Sequence, residues 1–84
     1  MKLLPCDYIE KWFLQNSSIE IEDIKNSYDV NYLQIGWIDS FDFIKMITDI
    51  EQYFKIKFKN DEFQNRSFAT IDGLVHIVEV KLDG

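Results

Sequence analysis

The chain has 84 residues, with 9 Lys+Arg against 15 Asp+Glu for a formal net charge of −6, and it is 46% hydrophobic and 15% aromatic. A chain of that length holds one small domain, too little buried volume for an elaborate walled active site, and its apolar content argues against disorder. The acid excess speaks against a nucleic-acid partner, whose binding depends on Lys and Arg releasing condensed counterions, and favours a basic protein partner.

Leu4, Tyr8, Ile9, Trp12 and Phe13 recur at spacings of three and four. Pro5 stands where a first helical turn accepts proline, and Asp7 and Glu10 lie near the positive end of the helix dipole. A short amphipathic helix is predicted there, ended by Asn16, Ser17 and Ser18. From that point to Ile38 the apolar residues keep no single period, which reads as a long, partly anchored loop. Within it, residues 19–22 alternate in a way that suits either a strand or a turn of helix. A structureless loop of this length counts against any assignment unless it has a function.

From Asp39 the pattern sharpens. Phe43, Met46, Ile47, Ile50 and Phe54 share one helical face, while Asp42, Lys45, Asp49 and Gln52 fall elsewhere. Asp39 is a candidate N-cap, with Asp42 three residues on. Residues 55–59 alternate Ile56 and Phe58 with lysines, and residues 61–65 read as one helical turn. The last element starts at Thr70 and places Ile71, Leu74, Val75, Val78 and Leu82 at helical spacing. Residues 78–82 also alternate as a half-buried strand would, so periodicity alone leaves both forms open. With 3 Gly and 1 Pro there is no linker, and a single domain over residues 1–84 is expected.

Little in the chain has the chemistry of an active site. Cys6 is the only cysteine, so no internal disulfide forms and a reducing cytoplasm is the natural compartment. One histidine, His76, at the edge of the last apolar stripe, reads as structural or surface-exposed, and metal-ligand spacings are absent. Glu20, Glu22 and Asp23 follow no calcium-loop pattern and read as a solvated acidic face. Lys55, Lys57, Lys59 and Arg66 form a locally basic stretch within an opposing overall field. No apolar run is long enough to span a membrane, and the first five residues lack a signal peptide's apolar stretch. A soluble, untargeted protein is expected.

The segment that stands out is Gly36, Trp37, Ile38, Asp39, Ser40, Phe41, Asp42. A serine just inside the start of a strong helix presents its hydroxyl to another protein. An anion joined there is favoured by the free N–H groups and the dipole.

In these residues the chain resembles the acyl carrier proteins, small acidic four-helix carriers whose serine receives a 4′-phosphopantetheine arm from coenzyme A. Asp39 and Ser40 match the family's Asp-Ser-Leu core with Phe41 in the leucine's place. Phe43 to Phe54 follows the family's long second helix, Ile56 to Phe58 its short apolar link, and Phe68, Ala69, Thr70 and Ile71 the approach to its last helix. The resemblance implies an all-α fold: a four-helix acyl-carrier-type bundle with a long first loop and a short third helix. It also implies that Ser40 carries the cofactor and that the phosphopantetheinyl transferase needs Asp39. Docking would involve Phe41, Asp42, Lys45, Asp49 and Glu51, through acids that meet basic patches on partner enzymes.

Two departures bear on the pathway. Lys45 stands where fatty-acid carriers hold another acid, and Phe41 after the serine, with Gly36 and Ile38 before it, is similar to dedicated carriers of specialised pathways. The expected function is a non-enzymatic, monomeric, cytoplasmic acyl carrier. It would be loaded by an acyl or aminoacyl ligase and would serve a downstream synthase or transferase. An aminoacyl carrier and an unmodified carrier-like interaction domain are the alternatives. Phe43, Ile44, Ile47 and Val75 are candidates to shelter cargo between the helices, unless Trp37, Phe41 and Phe43 fill that groove themselves.

Overall fold

Pro5 opens helix α1 (Pro5–Asn16) at a position where its missing N–H costs nothing, and Ile9, Trp12 and Phe13 form the face that it buries. The computed structural model describes residues 3–83, so Met1, Lys2 and Gly84, the ends of the expected domain, lie outside the described residues. The alternation at residues 19–22 resolves as helix rather than strand. Helix α2 (Ile21–Lys25) starts from a capping box in which Glu20 and Asp23 satisfy each other's backbone N–H groups. Ile24 is its buried residue, so the inward position is set by helical geometry and not by the Ile19–Ile21 alternation.

Helix α3 (Ser40–Phe54) buries Met46, Ile47, Ile50 and Phe54, the stripe that its sequence marks out. Beyond it the chain runs extended through Phe58, whose ring is buried among those of Phe63 and Phe68. The short third helix is built of two successive 3-10 turns, Asn60–Gln64 and Arg66–Ala69. Asn65 divides them: its backbone is extended, and its side chain accepts the Ser67 N–H at 2.9 Å, capping the second turn. Glu62 of the first turn pairs with Lys81 at 2.9 Å.

Helix α4 (Ile71–Asp83) settles the ambiguity at the end of the chain. Ile71, Leu74, Val75 and Val78 are buried while Val80 is exposed, which is the helical period and not the strand alternation; Leu82, expected on the same stripe, is exposed in the last turn. The described residues are thus all-helical, with four α-helices and no strand.

Helix α1 packs against both α3 and α4, and the second 3-10 turn lies against α4. The approach there is close: a Cβ on Gly73 would sit 2.3 Å from the Ser67 carbonyl oxygen. The long loop is stitched to the same region. The Tyr32 N–H donates to the Ala69 carbonyl at 3.1 Å, its hydroxyl donates to the Phe68 carbonyl, and the Asp72 N–H donates to the Tyr28 carbonyl at 3.0 Å. Its buried side chains, Tyr32 and Ile38, belong to the core.

Glu10 is a charged residue inside this structure, only 8% exposed. A carboxylate held there needs partners. It has two: the Tyr28 hydroxyl donates to Oε2 at 2.5 Å, and the Lys25 ammonium lies 3.5 Å from the same oxygen. Three segments, α1, α2 and the loop, are thereby joined at one point. Among the described residues no helix is long and apolar enough to cross a membrane, and no cluster of His, Cys, Asp and Glu is arranged to hold a metal.

Candidate functional site at the start of helix α3

The approach to α3 is held from both sides. Ile38 is buried, the Trp37 ring meets Phe13 edge-on at 6.0 Å, and the Ser17 hydroxyl donates to the Trp37 carbonyl at 2.9 Å. Gly36 turns the chain into this approach with φ at 79°, a left-handed conformation that other residues adopt only with strain. Asp39 then caps the helix: its Oδ1 accepts the Asp42 N–H at 2.8 Å, and Asp42 reaches back to the Asp39 N–H at 3.5 Å. Ser40 is the first helical residue, exposed, and its hydroxyl makes no hydrogen bond among the described residues. What results is a free hydroxyl at the positive end of a 15-residue helix.

The other expected site residues divide between surface and interior. Phe41 is 84% exposed, and with Ile44, Lys45, Thr48 and Gln52 it forms the outward ridge of α3. Lys45 donates to Asn16 Oδ1 at 3.2 Å. Asp49 is turned towards α1, where its Oδ2 accepts the Trp12 indole N–H at 2.8 Å. Glu51 is turned the other way and accepts the Phe58 backbone N–H at 2.9 Å. The acids of α3 therefore do not make one continuous outward face, because two of them hold internal donors.

His76 is exposed on α4. Cys6 is half-buried, and burial first, then the charges of Asp7 and Glu10, push its thiol above the usual range. It stays protonated at neutral pH and is a poor nucleophile.

Beside the first turn of α3 an open cleft of about 500 Å³ begins. Phe43, Ile44, Ile47 and Glu51 of α3 line it, with Phe58 and Phe63 opposite. Thr48 also reaches it, although its hydroxyl donates back to the Ile44 carbonyl at 3.0 Å. Phe43 and Phe63 meet edge-on at 6.5 Å and Phe58 and Phe63 at 6.2 Å. Of the four candidates for sheltering cargo, Phe43, Ile44 and Ile47 line this cleft, whereas Val75 is packed in the core. Trp37 and Phe41 do not fill it: the first packs on Phe13, and the second points to solvent. Phe58, Phe63 and Thr48 were not anticipated as cleft residues. Their one sequence signal is the spacing of five between Phe58, Phe63 and Phe68, which matches neither helix nor strand.

The sequence profile of the phosphopantetheine attachment site matches residues 13–78, from the core of α1 to the last buried residue of α4. That span is most of the chain and contains the whole approach to Ser40. The chain belongs to the phosphopantetheine attachment-site family. No curated protein and no solved structure matches it. A carrier of this family bears a covalent 4′-phosphopantetheine and works with a phosphopantetheinyl transferase and synthetic enzymes. The start of α3 suits that group in this carrier: a hydroxyl to esterify, exposed and unbonded, lies where free helix N–H groups favour a phosphate. When attached, the arm supplies the thiol on which cargo is held.

Proposed function

We propose that Ser40 is the attachment residue, and that the protein carries acyl intermediates as thioesters in a specialised biosynthetic pathway. The observation that carries this reading is the exposed, unbonded hydroxyl at the first position of α3. Free N–H groups and the dipole favour an exposed anion there by about 0.3–1 kcal/mol. Asp39 uses one carboxylate oxygen for the cap, and its side chain remains exposed beside Ser40 for the transferase to read.

In this reading the whole chain is one carrier domain, monomeric and cytoplasmic, and catalytic groups come from its partners: the transferase, a loading ligase and a downstream synthase or transferase. Phe41, Asp42 and Lys45 stand at the surface around Ser40 and form the centre of docking. A tethered thioester reaches a docked active site at millimolar effective concentration, so weak docking with fast release is sufficient.

Intact mass after incubation with coenzyme A and a broad-specificity transferase tests the assignment. The protein should gain one phosphopantetheine per chain and Ser40→Ala none. A wild-type chain that gains nothing, or a Ser40→Ala chain that is still loaded, would overturn it.

A further inference from the structure

We propose that Glu51 is a specificity residue for the cargo, and that the cargo is an aminoacyl group with a large apolar side chain. The inference rests on the arm being joined at Ser40 and narrows the acyl cargo proposed above to one that bears an α-amino group. The cleft opens at Phe43, three residues from Ser40, and extends to Glu51, about 12 Å along the helix axis at 1.5 Å per residue. Its walls are phenyl rings and isoleucines, and among the described residues Glu51 is the only charged side chain that lines it, Lys55 and Lys57 lining an adjoining groove on its other side.

The carboxylate is held in place. One oxygen, Oε2, accepts the Phe58 N–H at 2.9 Å. The other accepts no hydrogen bond among the described residues, where the ion pairs are Lys25–Glu10 and Lys81–Glu62. A carboxylate at an apolar wall loses solvation as the cleft fills, and the loss is offset when the occupant brings a cation. A plain acyl chain brings none. An α-aminoacyl group with a phenyl or branched side chain brings an ammonium for Glu51 and an apolar body for Phe43, Ile47 and Phe63. A glutamine side-chain oxygen accepts the same Phe58 N–H, less strongly than the carboxylate does but without its charge. Glu51→Gln therefore separates the structural role from recognition of charge.

The test loads the full chain with hydrolysis-resistant amide analogues carrying L-phenylalanyl, 3-phenylpropionyl or octanoyl groups, checks each by intact mass, and compares thermal melts and backbone amide shifts. The phenylalanyl form should melt about 4 °C above the phenylpropionyl form, a shift of the size that a single charged contact produces in a domain this small. Amide shifts should concentrate at Phe43, Ile47, Glu51 and Phe63. In Glu51→Gln the difference between the two forms should vanish, whatever shift the weaker Phe58 hydrogen bond gives all forms alike. Loaded forms with equal melts, or greatest stabilisation by octanoyl, would overturn both the role of Glu51 and the aminoacyl cargo and leave the Ser40 assignment standing. Absence of any mass gain would overturn the Ser40 assignment and this inference with it.

Discussion

Tyr28 and Tyr32 close the long loop by opposite means. Tyr28 donates to the buried Glu10 carboxylate at 2.5 Å, and Tyr32 sits fully buried with its hydroxyl on the Phe68 carbonyl. Burial raises both phenols above the ordinary tyrosine value, and for Tyr28 the hydrogen bond to Glu10 adds to it. Each folded-state value lies above the unfolded value of about 10, so the stabilisation is fully present below that pH and is lost as pH rises towards the folded values. We expect urea midpoints to hold steady between pH 7 and about 9.5 and to fall beyond it. Tyr28→Phe removes a hydrogen bond to a charged group and should cost about 2 kcal/mol at neutral pH. A midpoint unchanged by Tyr28→Phe would show that the Glu10 junction contributes nothing to the closure of the loop.

Among the elements, the contact between the second 3-10 turn and α4 leaves the least room. Alanine is a better helix former than glycine by about 1 kcal/mol, so Gly73 on an open helix would be a site for stabilisation. Here the added Cβ would meet Ser67 backbone atoms at 2.3, 2.7 and 2.8 Å, and backbone cannot swing aside as a side chain does. The clash outweighs the propensity. Gly73→Ala should lose about 1–3 kcal/mol by equilibrium unfolding, the range for overpacking a fixed interior. Stabilisation by alanine would mean that the turn moves freely on α4. The same turn carries the carbonyls that receive Tyr32, so its displacement would also loosen the loop that leads to Ser40.

On the scale of the whole molecule, the function proposed above has the net charge of −6 steering a basic partner from a distance and contacts near Ser40 completing the docking. Asp39 and Asp42 flank the serine, while Asp49 and Glu51 hold the Trp12 and Phe58 donors. We expect transfer to a basic partner enzyme to slow as salt rises from about 0.05 to 0.5 M, because screening contracts to a few ångströms. Asp42→Lys should lower the rate further, with a thermal melt alongside to separate any loss of the cap. Transfer that ignores both salt and the substitution would move docking onto the exposed apolar pair Phe41 and Ile44, 84% and 63% exposed.

Helix α3, its Asp39 cap and the place of Ser40 were legible in the sequence because each depends on residues within a few positions: a 3.6-residue apolar period, and a side chain that bonds a backbone N–H three residues on. The stripe of α4 was legible as far as Val78, but its strand alternative fell only with the helical backbone and the exposure of Val80, and Leu82 lies outside the buried face. What spacing cannot show is which element covers a face. The fold brings Trp12, 37 residues away, to the Asp49 carboxylate, and turns the chain back to lay the Phe58 N–H on Glu51, neither of which spacing announces. The expected short third helix is made of two 3-10 turns, with Asn65 capping the second, a division that spacing does not announce. The cleft beside Ser40 exists only because Phe58 and Phe63, beyond the end of α3, return to face Phe43 and Ile47. Local hydrogen bonding and apolar periodicity are properties of the chain, whereas the partner of each buried or half-buried polar group is decided by contacts between residues far apart along it.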